Sequence, residues 1–301
     1  MGYMKKIPPY VFPILALIVG AILIVKSVEH TSISSSNNKI LVTTSFYPLY
    51  FFTKEITGDL ANVVNITPSG VEPHDYEPST SDIATIEKSN LLILNGGGLE
   101  PWGDSVKANL SNSQTKVVTT SDGLQNGSDP HIWLDPVLAK EEVSEITKGL
   151  NEVSPGNITL FGNNADGLER KLIELDGDFA NGLKNCKQKN IVTSHSAFGY
   201  LAARYGFTQM SVSGLSPDEE PSAKKMSEIA TFVKQNNIHY IFFEELVSPK
   251  LSETLAKETG AKTLVFNPLE GLTRDEEERG EDYFSIQRKN LENLKIALEC
   301  N

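Results

Sequence analysis

The sequence predicts an α/β protein of two lobes with mostly parallel sheets, joined by a long, rigid connecting helix. Four short apolar runs precede residue 120 and four follow residue 190, with helix-like amphipathic stretches among them. Short buried strands that alternate with helices imply parallel sheets covered on both faces. Between the two groups, residues 137–185 carry no strand signal. There Phe161, Ala165, Leu168, Leu172, Leu175, Phe179 and Leu183 recur at steps of three and four, which is one face of a long helix.

The predicted strands are 40–45, 62–66, 91–94 and 116–119 in the first lobe, and 191–194, 208–213, 239–243 and 262–266 in the second. Helical stretches cover 48–57, 80–89, 221–236 and 249–259. Gly162, Gly167, Gly177 and Gly182 each weaken the long helix by up to about 1 kcal/mol relative to alanine, so tertiary packing must hold it. The domain organisation that follows is 40–136 for the first lobe, 137–187 for the connecting helices and 188–301 for the second lobe.

The N-terminus is a separate module. Lys5 and Lys6 precede an uncharged run of 19 residues, Ile7–Val25. This length approaches the hydrocarbon thickness of a bilayer, so residues 1–30 read as a signal anchor or a signal peptide. No small-residue cleavage site and no cysteine follow the run, which favours the uncleaved anchor. Residues 31–39 form a Ser/Asn-rich linker, and His30 beside it reads as a tether residue. The chain is therefore expected outside the cytoplasm, held at the plasma membrane.

Net charge is −12 and there is no Lys/Arg stripe, so nucleic acid is excluded as a natural partner. The two cysteines, Cys186 and Cys300, either form a disulfide or stay as buried thiols; export to an oxidising space favours the bond. N-x-S/T sequons at Asn65, Asn109, Asn126 and Asn157 are compatible with an exported chain but arise often by chance.

Three of the five histidines sit in rigid, aromatic-rich segments: E-P-H-D-Y-E-P around His74, D-P-H-I-W-L-D-P around His131 and S-H-S-A-F-G-Y around His195. They lie 57 and 64 residues apart. Histidine is the commonest metal-ligating side chain, and each of the three falls in a loop or at a strand end, where α/β sheets bind ligands. Flanking prolines, Pro73, Pro78, Pro130 and Pro136, fix the local backbone and lower the entropic cost of presenting a ligand. Asp75, Asp129 and Asp135 are candidates to accept from the ring nitrogens not used for metal. Trp133 reads as a wall of the cleft or as core. The N-G-G-G turn at 95–98 lacks a phosphate-binding fingerprint, His239 reads as structural, and R-D-E-E-E-R at 274–279 reads as a solvated helix start.

From residue 40 to the C-terminus the chain resembles the metal-binding solute-binding proteins of ABC importers, the cluster A-I or ZnuA/TroA-like family. The resemblance rests on G-V-E-P-H-D-Y-E-P-S, D-P-H-I-W-L-D-P, S-H-S-A-F-G-Y-L-A-A-R-Y-G and G-L-S-P-D-E-E-P-S, in the family's order. It implies a metal in the interlobe cleft, with ligands at the positions of His74, His131 and His195. The usual fourth ligand, an aspartate after the last strand, is replaced here by Asn267. A branch similar to this chain uses the glutamate of N-P-L-E, which is Glu270; water, with Glu72 nearby, is the remaining option. Three imidazoles and a carboxylate suit Zn²⁺ better than Mn²⁺. The family's optional His-rich loop before His131 has no counterpart here.

The resemblance implies a binding protein, monomeric and not an enzyme, that captures Zn²⁺ as cargo for an ABC-type permease and its cytoplasmic ATPase. Two other readings compete: a zinc hydrolase with an open His₃ site, which lacks any general-base motif, and a surface adhesin with a structural metal.

Overall fold

The computed structural model describes residues 1–3, 39–110, 113–125 and 127–301. The N-terminal apolar run expected to act as an anchor or signal peptide, most of the expected linker, His30 and Asn126 of the N-G-S sequon lie outside the described residues. Among the described residues, no helix is long and apolar enough to cross a membrane.

Residues Lys39–Asn301 hold two four-stranded, wholly parallel sheets. In the first, β1 (Ile40–Thr44), β2 (Ala61–Asn65), β3 (Leu91–Leu94) and β4 (Lys116–Thr119) stand in the order β2-β1-β3-β4. In the second, β5 (Asn190–Thr193), β6 (Thr208–Ser211), β7 (Tyr240–Phe243) and β8 (Lys262–Val265) stand in the order β6-β5-β7-β8. The eight strands match the eight apolar runs to within two residues at each end. Each order reverses direction once, between β1 and β3 and between β5 and β7. These switch points open a crevice at the carboxyl ends of the strands.

Helices α1 (Tyr47–Thr57), α2 (Thr80–Lys88) and α3 (Gly103–Leu110) flank the first sheet. Then α4 (Pro136–Val153) and α5 (Ile158–Gly182) run between the sheets. Helices α6 (Gly199–Tyr205), α7 (Ala223–Gln235), α8 (Lys250–Thr259), α9 (Arg274–Glu278) and α10 (Tyr283–Ala297) complete the second part. Helix α5 is 25 residues long and buries all seven apolar residues of the stripe read from the sequence, or the residue just past its end for Leu183. The glycines in it are tolerated because that face is packed: the residues join one hydrophobic core with Phe46, Phe52, Trp133, Phe266, Leu269, Tyr283 and Leu294, drawn from both halves of the chain. A core shared in this way makes the connector stiff.

Local chemistry sets the helix ends that matter here. Asp135 caps α4 by accepting from Val137 N and Leu138 N, and Pro136 occupies the first turn, where a missing N–H costs nothing. Asp135 also accepts from Arg204 of α6 at 2.5 and 2.6 Å. Thr273 and Glu276 form a capping box at the start of α9, so the acidic run does begin a helix, although Glu276 itself is buried. Cys186, after α5, is disulfide-bonded to Cys300, after α10, closing a separation of 114 residues. His239 lies just before β7, exposed, with Nδ1 2.9 Å from Glu299.

Candidate metal centre

Each histidine is delivered by a loop whose backbone is tied down. His74 follows the long loop after β2, where Glu72 accepts from its backbone N–H at 3.3 Å. His131 opens the 3₁₀ turn Ile132–Leu134, and Asn95, just past β3, donates to Pro130 O at 3.0 Å. His195 lies two residues past β5, and its carbonyl accepts from Thr193 Oγ1 and Gln209 Nε2 at 2.7 and 2.9 Å. Glu270 comes from the loop after β8.

The four side chains meet at one point. Nε2 of His131 lies 3.3 Å from Nε2 of His74 and 3.3 Å from Nε2 of His195. Glu270 Oε1 lies 3.3 Å from His74 Nε2 and 3.2 Å from both His131 Nε2 and His195 Nε2. A tetrahedral ion with bonds of ~2.0–2.1 Å requires donors ~3.3 Å apart. Five of the six donor pairs have that spacing, and the sixth, His74 with His195, is within 4.8 Å. His131, His195 and Glu270 are buried, whereas the His74 side chain keeps 7% exposure and marks the side open to solvent.

Two carboxylates orient the rings from behind. Asp129 accepts at 2.7 Å from His131 Nδ1, and also from its backbone N–H. Glu244, directly after β7, accepts from His195 Nδ1 with both oxygens at 2.8 Å. With Nδ1–H engaged, each ring presents the Nε2 lone pair to the centre. Burial works against a charged His195, but the Glu244 and Glu270 carboxylates outweigh it and hold its pKa well above the ordinary value. Burial likewise opposes ionisation of Glu270, yet the His195 charge and the bonds from the three imidazoles keep its pKa well below the carboxylate range. Glu72, half-buried beside Glu270, is pushed up to about 10 by its loss of hydration and by that neighbouring charge.

Among the four residues flagged from the sequence as supporting groups, Asp129 stands on a ring and Glu72 stands at the site. Asp75 is exposed, and Asp135 is consumed by the α4 cap and Arg204. Asn267 points away from the four donors: its side chain binds Leu269 N, Glu245 and Glu276. Trp133 is fully buried, with Nε1 donating to Pro268 O at 2.7 Å. Glu244 was not legible as a site residue; its only signal was its place at a strand's carboxyl end beside the β5/β7 switch point.

The family model described as "Zinc-uptake complex component A periplasmic" (ZnuA) matches residues 42–297. The chain belongs to this zinc-uptake family. Similarity to its members extends over most of the chain. The high-affinity zinc uptake system protein ZnuA of Bacillus subtilis is 39% identical over 287 residues, covering 89% of this chain and 90% of that protein. The zinc-binding protein AdcA of Streptococcus pyogenes serotype M18 is 37% identical over 293 residues, and this chain spans 57% of its length. The Zn(II)-bound ZnuA-like domain of Streptococcus pneumoniae AdcA superposes with a TM-score of 0.78 at 42% identity, covering 87% of this chain and all of that domain. The two-sheet architecture with a helical connector is thus the fold of the ZnuA family.

Proposed function

We propose that this protein captures Zn²⁺ outside the cytoplasm and delivers it to an ABC-type permease for import. The observation that carries the reading is the tetrahedral spacing of three imidazole nitrogens and one carboxylate oxygen, supplied by His74, His131, His195 and Glu270. Three neutral imidazoles and one anion form a borderline donor set suited to zinc, and the single negative charge offsets part of the ion's charge. Closure of all four positions by protein atoms leaves no site for a reacting water, which supports a carrier over a hydrolase. The zinc names and the Zn(II)-bound structure of relatives support the same cargo.

In this reading, residues 40–136 and 188–301 act as two jaws around the ion and 137–187 as the stiff connector. Release occurs when docking on the permease separates the jaws. The apolar run at 7–25 holds the protein at the membrane. Metal analysis and competition titration on residues 31–301 test the reading: one zinc per chain at high affinity is expected, strongly reduced by Glu270→Ala. A chain that binds no divalent ion at about one-to-one would refute it.

A further inference from the structure

The strap that carries Glu270 is fastened to the two loops that carry His74 and His131. At its near end, Trp133 Nε1, two residues past His131, donates to Pro268 O at 2.7 Å. At its far end, Ser69 Oγ and Gly70 N, on the loop leading to His74, donate to Leu272 O at 2.8 and 2.9 Å. Between these points the strap is held in a conformation it would not adopt alone. Leu269 has φ +58°, a left-handed value that a γ-branched residue takes only under constraint. Its N–H is caught by Asn267 Oδ1 at 2.7 Å, and the Asn267 backbone is bonded at both N–H and C=O by Asn290. Trp133 is itself braced, with Tyr283 Oη donating to its carbonyl at 2.6 Å and Phe46 packed edge-on at 4.7 Å.

We propose that Trp133 is a positioning residue for the fourth zinc ligand: its indole N–H sets the strap, and so the placement of Glu270 in the site. The proposal rests on the zinc-site reading above. Glu270 follows β8 in sequence, and the carbonyls on either side of it, Pro268 O and Leu272 O, are bonded to the loops that carry His131 and His74, while Asn290 of α10 holds Asn267 at the start of the strap. The indole matters because no other side chain in the turn combines a buried aromatic body with a donor able to reach Pro268 O.

Trp133→Phe keeps the aromatic contact with Phe46 and removes the donor. With zinc affinity measured by chelator competition on the whole chain, the variant should bind about tenfold more weakly than the wild type. In a Glu270→Ala background the same substitution should change affinity by less than about twofold, because the group it positions is gone. The cobalt-loaded Trp133→Phe protein should shift its visible absorption toward that of Glu270→Ala. Equal losses in both backgrounds would show that Trp133 acts through His131 or general packing, and would overturn the proposal, as would unchanged affinity. If Trp133→Phe fails to unfold cooperatively, Ser69→Ala, which loosens the far end of the strap, takes its place in the same cycle with the same two outcomes. A wild-type chain with no one-to-one zinc site would instead sink the functional reading itself.

Discussion

Glu244 grips the Nδ1 edge of His195 with both carboxylate oxygens at 2.8 Å and also accepts from the His195 backbone N–H at 3.2 Å. One buried carboxylate therefore sets the ring's tautomer, its rotation and its charge. Glu244→Ala should lower zinc affinity about 10–100-fold, the usual cost of losing such a partner. Glu244→Gln keeps an acceptor for Nδ1–H and should lose less. Competition against a chromophoric chelator reads both, and equal affinities for the two variants would show that orientation is irrelevant.

Zinc affinity should fall as pH drops, because each imidazole must give up its proton to bind. The sign is sharpest at His195, whose raised pKa means the metal-free protein keeps a proton there at neutral pH. That proton stabilises the metal-free fold fully below the unfolded histidine pKa of ~6.5, and its contribution is lost as pH rises through the raised folded value. Calorimetry at pH 7 in buffers of differing ionisation enthalpy should detect net proton release on zinc binding. A binding enthalpy independent of buffer would contradict this.

Glu142 of α4 is fully buried. It accepts from Thr120 Oγ1 at 2.9 Å through Oε1, while Oε2 has no hydrogen-bond partner among the described residues. Burial, aided by the Glu100 charge and partly offset by the Thr120 bond, raises its pKa to about 8. The folded state thus holds a proton that the unfolded chain releases near pH ~4.3, so stability should fall between there and pH 8. Glu142→Gln keeps the Thr120 bond and removes the titration. It should stabilise the protein by about 1–3 kcal/mol at pH 8 and much less at pH 5, as read by denaturant unfolding at the two pH values. An equal effect at both would rule out the buried proton.

The Cys186–Cys300 bond joins the ends of α5 and α10, the two helices that pack the shared core. Reduction should lower unfolding free energy by about 2–5 kcal/mol, given the long loop it closes. The zinc site, remote from the bond in sequence and in its hydrogen bonding, should keep its affinity below the unfolding transition. Thermal unfolding with and without reductant, paired with zinc titration, tests both halves.

Much of this molecule is written in local pattern. Apolar runs such as Leu91–Leu94, short and bounded by polar residues, read as buried strands, and the three-and-four spacing from Phe161 to Leu183 reads as one helical face. Proline and aromatic neighbours mark His74, His131 and His195, and a family resemblance points to Glu270. Asp135 went elsewhere because the residue before a helix-opening proline is first of all an N-cap, and Arg204 donates to both of its carboxylate oxygens. Glu244 escaped notice because a glutamate after a strand has no periodic or motif signature; what makes it important is a ring 49 residues away in sequence.

Side-chain periodicity and residues adjacent along the chain were enough to specify the two α/β sheets, the connecting helix and the three histidines as candidate ligands. Long-range packing sets which carboxylates face which ring nitrogens and fastens the Glu270 strap to the loops of His74 and His131. Those choices depend on distances between segments that are far apart in the chain, and hydrogen-bond geometry at ~3 Å is set by packing of the whole core rather than by any local stretch.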